Sequence, residues 1–545
     1  MGQAAVWTAW PGVVVCLCGC TAAHYRRSAD KEAYKLIAQK TPLVTNMEPR
    51  FTIEQTNLIT LAGLPVVTQT NEFLGPAAAA ELGASVVSLD QALAAAVKNS
   101  RPYQDSKEQL YAKALDLSLA RHQFAPIFSS AGGTADYSVE TSDGLAETRQ
   151  FHATGGAGMD WLIRDLGKIS AAFTADFLRV LSGDPHTLVS SEVTGTFTRP
   201  LLRNAGFKNE IESLTQAERN LLYGLRDFVR FRKDFSVQIA SAYYGVLGNR
   251  DAVHNSFLNF QSSRRAAERT RALAAEGRTT QTDLGRIEQQ ELSAESAWVN
   301  ALQTYQHALD AFKIQLAIPV QTRVVLDDAE LRELKIHHPV MRVDDAINVA
   351  LAARLDYQNG RDQLADSERK VKLAADALRP GLDFVANGSL ASPDRSRGFP
   401  LPEAARYNWD ASLKLDLPLE RKRERNSYRS ALIAQARAKR TLEKSRDDIE
   451  LEVRDSWRAL EQAKRSYEIS EVGVELAQRR VEEQELLAEL GRAKALDQID
   501  AQNSLVSSKD QRTQALVAHT IARLQFWDNM GILYIKDNGR WEELE

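Results

Sequence analysis

Beyond its first twenty residues the chain contains no cysteine, because all three, Cys16, Cys18 and Cys20, lie in that short segment. The rest of the chain therefore has neither a disulfide framework nor a cysteine-based metal site. It also has no run of about 18 or more apolar residues, which excludes a membrane-spanning helix there. The net charge is only −4 at pH 7, with charges of both signs interspersed, so no basic surface for nucleic acid is indicated.

Catalytic constellations are missing as well. We find no Ser-His-Asp or Cys-His set and no Gly-x-Ser-x-Gly elbow, so the sequence indicates a protein that is not an enzyme and has no cofactor or metal. The glycine cluster Gly155–Gly158 lacks the lysine of a phosphate loop and is predicted to be a flexible loop. His337 and His338 have no third ligand nearby, and we expect a solvated pair in a linker.

The first twenty residues are typical of an export signal. Met1–Gly19 is apolar and ends in small residues, as a secretory signal peptide does. The segment Leu17-Cys18-Gly19-Cys20 resembles a bacterial lipobox, in which the last thiol receives diacylglycerol after cleavage. Pro11 and the absence of Lys or Arg before Arg26 depart from the usual pattern, so an uncleaved start is the alternative. We expect cleavage after residue 19 and lipidation of Cys20.

The chain contains an internal repeat. Ser88–Ile127 aligns with Arg342–Gly381 without a gap, at a constant offset of 254 residues. Matched positions include Asp90 with Asp344, Tyr103-Gln104 with Tyr357-Gln358, and Pro126 with Pro380. Each copy is predicted to open with two helices that stop at the proline, because proline cannot continue a helix.

After each proline the apolar pattern changes to period two, which predicts β-strands. The alternation covers residues 382–387 and 411–417 in the second copy and 189–197 in the first. Ser130–Pro185, in the first copy, is predicted to form long surface loops or additional strand.

Each copy then continues as a long helical stretch without proline, from about Lys208 to Glu276 and from about Glu420 to Leu490. At about 1.5 Å per residue, each is a rod of roughly 100 Å. The second rod shows a heptad repeat typical of closely packed coiled coils. The repeating positions are Val453, Leu460, Tyr467, Val474 and Val481, with Ala463, Ser470 and Ala477 between them.

Each rod ends at a glycine, Gly277 or Gly491, where a helix commonly places a left-handed residue. A returning helix is predicted after each, from Asp283 to Leu316 and from Asp497 to Trp527, with an aspartate capping its start. The two glycines are 214 residues apart rather than 254. The first copy therefore holds forty additional residues, which we assign to its strand region.

This order of elements, occurring twice, resembles the TolC family of outer-membrane efflux and secretion channels over about Ser88 to Leu533. Phe197-Thr-Arg-Pro-Leu-Leu202 is similar to the family's Q-P-L-L passage from strand to helix, with arginine in place of glutamine. Asp416-Leu-Pro-Leu-Glu420 is its counterpart in the second copy. The segment from Gly491 to Ala501 is similar to the family's turn G-x-x-x-x-x-D-x-x-D-A.

The resemblance implies a mainly α fold with membrane β-structure. Long coiled-coil helices would form a periplasmic α-barrel, and each protomer would give four strands to a shared trimeric β-barrel. The implied function is a channel of the cell outer membrane, lipid-anchored at its N-terminus. With a periplasmic adaptor (membrane fusion) protein and an inner-membrane transporter, the homotrimer would export small molecules or proteins. The sequence does not identify the cargo.

Site residues follow from the same resemblance. Asp497 and Asp500 would constrict the periplasmic entrance; the alternative is a helix cap at Asp497 and a solvated Asp500. Asp283 and Arg492 are candidates for a link between tip helices, although Arg492 is one residue from the usual place. The residues implied in adaptor docking are those of the two tip turns, Gly277, Arg278, Gly491 and Arg492.

We divide the chain accordingly into a signal peptide (1–19), a lipid-anchored linker (20–87), a first repeat (88–320), a second linker (321–341), a second repeat (342–533) and a C-terminal tail (534–545). Two other classes of protein remain as alternatives. A periplasmic adaptor usually has one helical hairpin, whereas two are predicted here. A structural coiled-coil lipoprotein would leave the alternating strands unexplained. Neither would contain a conducting pore.

Overall fold

A computed structural model describes residues 21–54, 61, 63–142, 146–182, 185–393, 400–490, 492 and 495–542. The predicted signal peptide, Cys20 and Gly491 lie outside these residues.

Helices account for most of the described chain. In chain order they are α1 (Ala22–Lys40), α2 (Ala78–Glu81), α3 (Leu89–Asn99), α4 (Arg101–His122), α5 (Lys208–Ala275), α6 (Gln281–Gln315), α7 (Ala329–Arg332), α8 (Val343–Ala353), α9 (Leu355–Asp376), α10 (Lys422–Glu489) and α11 (Ala495–Asn529), with 3-10 turns at Thr41–Leu43 and Glu72–Ala77. No helix in the described part of the chain is both long and apolar enough to cross a membrane.

The strands form one large antiparallel sheet and one small parallel pair. They are β1 (Ser85–Val87), β2 (Ile127–Ser142), β3 (Ala146–Ile163), β4 (Gly167–Val180), β5 (Thr187–Pro200), β6 (Val324–Leu326), β7 (Gly381–Ala391) and β8 (Tyr407–Asp416). The large sheet has the order β2-β3-β4-β5-β7-β8, and β1 pairs with β6.

The predicted duplication is visible in the helix lengths. The helices α3 and α8 each have 11 residues, and α4 and α9 each have 22. The long helices α5 and α10 each have 68 residues, and the returning helices α6 and α11 each have 35. The first two pairs are offset by 254 residues and the last two by 214. The forty extra residues of the first copy therefore lie between α4 and α5, where β2 to β5 are found.

Two sequence predictions about this region were wrong. The resemblance implied four strands per chain, whereas the large sheet has six. Of the two alternatives predicted for Ser130–Pro185, long surface loops or additional strand, the structure shows additional strand. The glycine cluster Gly155–Gly158 is not a flexible loop but lies within β3, paired on both sides. Glycine has no side chain to display a period-two pattern, so a strand rich in glycine is hard to detect from sequence.

The chain divides into two compact units, neither of which coincides with a sequence repeat. The first comprises residues 1–42, 110–224 and 360–442, and the second comprises 43–109, 225–359 and 443–545. Each unit thus takes segments from both copies of the repeat.

In the first unit, the sheet continues into the helices through charged contacts. Asp376, near the end of α9, accepts hydrogen bonds from the backbone of Asn204 (2.8 Å) and from Lys208 Nζ (2.9 Å). The loop residue Arg203 donates to Asp416 at the end of β8 (2.7 Å). These contacts fix the passage from β5 into α5 and align it with β8.

In the second unit, the segment before the first repeat is ordered against the long helices. Trp298 of α6 donates its indole N–H to the carbonyl of Phe73 (2.8 Å), and its ring stacks on Phe260 of α5. Glu81 is buried and accepts hydrogen bonds from Arg250 Nη2 (3.0 Å) and the Tyr305 hydroxyl (2.8 Å). A buried charge is tolerated only when it is paired in this way.

Candidate functional site: the helix tips and the sheet

The first tip turn has the geometry that its glycine predicted. Gly277 has φ +70°, and its N–H donates to the carbonyl of Ala274 (3.0 Å). The Arg278 N–H donates to the Leu273 carbonyl (2.9 Å), which is the six-residue bond of a Schellman motif. The second tip repeats this bond, because the Arg492 N–H donates to the carbonyl of Leu487 (2.8 Å).

The cap of the first returning helix is one turn earlier than predicted. The side chain of Thr280, not of Asp283, accepts the capping hydrogen bond, from the Asp283 N–H (3.0 Å). The Thr280 hydroxyl in turn donates to the Asp283 carboxylate (2.7 Å). Asp283 therefore lies in the first turn, where its charge is favourable to the positive end of the helix dipole.

A small apolar cluster joins the tips of both repeats. Ala267 of α5, Ile287 of α6 and Ile499 of α11 are buried against one another. Ile499 lies between Asp497 and Asp500 in sequence, and both aspartates are exposed. Three residues apart, they lie on neighbouring positions of the helix surface, away from the cluster. The tip thus presents two solvated carboxylates on a helix held by a packed core.

The proposed link between Asp283 and Arg492 is not formed within one chain. Both residues are exposed, and no ion pair joins them among the described residues. Arg278 instead approaches Glu276 of its own turn, with a distance of 3.5 Å between Nη1 and Oε2.

Sequence reasoning missed two sets of polar contacts, one near the first tip and one farther along the helices. Arg271 of α5 forms ion pairs with Glu288 (2.9 Å) and Glu291 (2.6 Å) of α6 and so ties the arms of the first hairpin together. A polar ladder also joins α5 to α11. Its hydrogen bonds are Asn255 to Asp510 (2.7 Å), Asn259 to Asn503 (2.8 Å) and Thr513 to Asp251 (2.7 Å). Buried polar pairs of this kind fix the register of packed helices.

The two linker histidines, expected to be a solvated pair, differ from one another. His337 is exposed, as predicted, but the side chain of His338 is only 13% exposed. Its Nε2 lies 2.9 Å from Glu461 of α10, and its ring packs on Trp457 and on the buried His519 of α11. The expectation was wrong for His338 because its partners are more than a hundred residues away in sequence.

The large sheet has one apolar and one polar face. Across β3, β4, β5, β7 and β8, one row of paired residues reads Trp161, Ile169, Phe197, Ala386 and Ala411. The adjacent row, whose side chains point to the other face, reads Asp160, Ser170, Thr196, Asn387 and Asp410. Such an alternation separates an apolar environment from an aqueous one.

No protein-family model matches the chain, and no curated protein matches it in sequence. Solved structures do match. One is CusC, whose structures were described in terms of folding and transmembrane channel formation. It has a TM-score of 0.60 and 14% identity, over 81% of this chain and 92% of that one. The outer-membrane channel OprN has a TM-score of 0.59 and 13% identity, over 89% of this chain and 99% of that one. The open state of the Neisseria gonorrhoeae MtrE outer-membrane channel has a TM-score of 0.60 and 13% identity, over 82% of this chain and 89% of that one.

At these low identities the likeness establishes the fold. The chain has the fold of TolC-family outer-membrane channels, as the sequence resemblance predicted.

Proposed function

We propose that this protein is an outer-membrane channel that works as a homotrimer and exports small molecules or proteins, together with a periplasmic adaptor and an inner-membrane transporter. The observation that carries the proposal is the combination, in one chain, of a two-faced antiparallel sheet with a duplicated pair of long helical hairpins. Solved outer-membrane channels share this fold. In this role the protein is not an enzyme.

The sheet supports a location in the outer membrane. Its strands have 10 to 18 residues, and about 9–11 residues are enough for a tilted strand to cross the hydrocarbon. Its apolar face would contact lipid and its polar face would line the aqueous pore. The sheet has two open edges, β2 and β8, in the described chain. Open edges are unfavourable in a membrane, and neighbouring copies can pair them and so close a barrel.

The long helices support self-association. On α10, the seam residues Val453 and Leu460 are fully buried, whereas a second apolar stripe on the opposite side is exposed. This exposed stripe comprises Leu451 (55%), Ile469 (60%), Val472 (54%) and Leu476 (58%). On α6, Leu292 (65%) and Val299 (52%) likewise lie opposite the buried Ile287. A helix with two apolar stripes requires neighbours on both sides, which further copies of the chain would provide.

The tips would form the periplasmic entrance. Asp497 and Asp500, repeated three times around a narrow opening, would attract cations and repel anions. We propose that the tip turns at Gly277, Arg278, Gly491 and Arg492 dock the adaptor. Asp283 and Arg492 would then link neighbouring copies rather than positions of one chain.

We further propose that residues 1–19 are a signal peptide, that Cys20 is lipidated and that the repeats span 88–320 and 342–533. A lipid anchor would add a second membrane attachment to the sheet.

Conductance in planar lipid bilayers tests the proposal. Discrete openings from the purified, detergent-extracted protein are expected. A folded preparation that inserts into the bilayer and never conducts would instead favour a periplasmic adaptor or a structural coiled-coil lipoprotein.

A further inference from the structure

The first copy of the repeat contains a strand hairpin that the second copy lacks. The strands β2 and β7 both begin after the equivalent prolines, Pro126 and Pro380, and β5 and β8 both lead into a 68-residue helix. Between these matched ends, the second copy has only the connection from β7 to β8. The first copy has β3 and β4 in addition.

The inserted hairpin continues the face pattern of the sheet. In β3 and β4, the apolar residues Trp161, Ile169 and Phe173 lie on the same face as Phe197 of β5, according to the strand register. Polar rows also pass through both strands, such as Asp160 with Ser170 and Thr196, and Thr154 with Asp176 and Ser190. A loop that covered the sheet or projected from it would not require one apolar and one polar face.

The turn of this hairpin is short and lies at the helix end of the sheet. Ile163 and Gly167 are separated by three residues, and the Leu166 N–H donates to the Ile163 carbonyl (3.2 Å). Ile127, the first residue of β2, pairs with Asp160 close to this turn. Short turns on the periplasmic side are typical of membrane barrels.

Glycines on β3 and on its neighbour β2 allow close approach between the strands. Gly133 pairs with Gly155, and a Cβ atom at Gly133 would lie 2.6 Å from the Thr154 carbonyl oxygen. A Cβ at Gly156 would lie 2.9 Å from the carbonyl oxygen of Phe173. Glycines at such positions allow a sheet to bend, which a closed wall requires.

We propose that the β3–β4 hairpin is part of the pore wall, so that three copies form a wall of eighteen strands and admit cargo of a larger size class. This inference rests on the proposed function. Four strands per copy would give twelve. Because barrel diameter grows roughly linearly with strand number, the wall would be about 1.5 times wider, in the range that leaves an aqueous channel.

Disulfide trapping tests which strands pair with each other at the interface between copies. No cysteine follows Cys20, so no native cysteine in that part of the chain can form a disulfide with the introduced ones. Ser412→Cys on the polar face of β8 is combined in turn with a cysteine on the polar face of β2. The β2 substitutions are Ser129→Cys, Thr134→Cys, Asp136→Cys and Ser138→Cys. Ser412→Cys with Thr174→Cys, on the inner strand β4, is the matched control, and Ser412→Cys alone reports background.

Oxidised dimers and trimers are expected for at least one β2–β8 combination and not for the β4 control. A conducting preparation in which no β2–β8 combination cross-links, or in which the β4 pair cross-links instead, overturns the inference. Loss of conductance in the unsubstituted protein is a different result, because it overturns the proposed function itself.

Pore size gives a second measurement. Deletion of residues 143–182 removes β3 and β4 and leaves β2 able to pair with β5 on the same faces. Thr134, Thr154, Asp176 and Ser190 lie in one register row across these strands. Neutral polymers of graded size, added on the outer side, are expected to enter the wild-type pore up to a hydrodynamic radius about 1.5 times that of the deletion variant. An equal cut-off in a conducting deletion variant overturns the inference.

Discussion

His338 packs against His519 with a distance of 5.8 Å between the ring centroids, and His519 is only 1% exposed. The Nε2 atom of His519 has no hydrogen-bond partner among the described residues. Burial, together with the charges of His338, Arg523, Lys464 and His337, lowers the pKa of His519 to about 4. The contact between the inter-repeat linker and α11 is therefore built around a neutral histidine.

Acid should weaken this contact. The unfolded state binds a proton at His519 near pH 6.5, whereas the folded state resists it until about pH 4. The stabilisation is fully present above pH 6.5 and is lost as the pH falls toward 4, by up to about 3 kcal/mol. His519→Phe should therefore flatten the decline of the unfolding free energy across this window, as measured by urea denaturation at several pH values.

His307→Phe is the control, because His307 is exposed on α6. An unchanged pH dependence in His519→Phe, matching that of His307→Phe, would contradict this account of the buried pair.

Two glycines of the first hairpin should respond in opposite directions to alanine. Gly277 has φ +70° and Gly285 lies within α6, and an added Cβ meets no atom within 4 Å at either position. Backbone conformation alone then decides the effect. Gly277→Ala should destabilise the protein by about 1 kcal/mol, and Gly285→Ala should stabilise it by about the same amount. Thermal unfolding followed by circular dichroism measures both, and a shift of the same sign in the two variants would contradict the turn geometry.

The buried carboxylate of Glu81 should contribute far more to stability than an exposed one. Glu81→Gln removes the charge that faces Arg250, which keeps only its 2.6 Å contact with Asp328. A loss of about 2–3 kcal/mol is expected, because the buried Arg250 loses one of its two carboxylate partners and the Tyr305 hydroxyl loses a charged acceptor. The same substitution at Glu276, whose pairing with Arg278 is solvated, should cost less than about 0.5 kcal/mol. Equal losses in urea denaturation would show that the Glu81 network is not stabilising.

The exposed stripe of α10 should be required for assembly and not for folding of the chain. Val472→Glu places a charge in the stripe, where it would be buried between copies, and should reduce the proposed trimer to lower oligomers. Gln478→Glu introduces the same charge about two turns away at an exposed position off the stripe and should leave the trimer intact. Light scattering of the detergent-solubilised protein measures the oligomer. A Val472→Glu trimer as stable as that of Gln478→Glu would exclude this stripe as the interface.

Much of the helical fold could be predicted from sequence, because long helices without proline leave a strong periodic signal. The observed start of α5 is the predicted Lys208, and α10 ends at Glu489, one residue before the predicted Leu490. Both tip glycines followed from position alone, and the geometry at Gly277 confirms the first of them.

The strand count and the polar contacts could not be predicted in the same way. In β3, glycines at 155, 156 and 158 remove the side chains that would reveal an alternating pattern. Contacts such as His338 with His519 join residues distant in sequence, and a polar residue such as Asn259 on α5 looks like a solvated position until its partner on α11 is known. Sequence therefore identified the helices and part of the sheet, and the structure was needed to show the remaining strands and which polar groups meet.

Single-channel conductance in planar bilayers, comparing the wild type with Asp497→Ala/Asp500→Ala, tests the central claim most directly. Discrete, cation-selective openings are predicted for the wild type, with larger conductance or weaker cation selectivity in the double variant, because the exposed carboxylates would no longer surround the entrance. If the double variant showed the same openings as the wild type, the channel function would be supported, but the role of Asp497 and Asp500 at the entrance would be contradicted. A folded, membrane-inserted protein that shows no openings would contradict the channel itself.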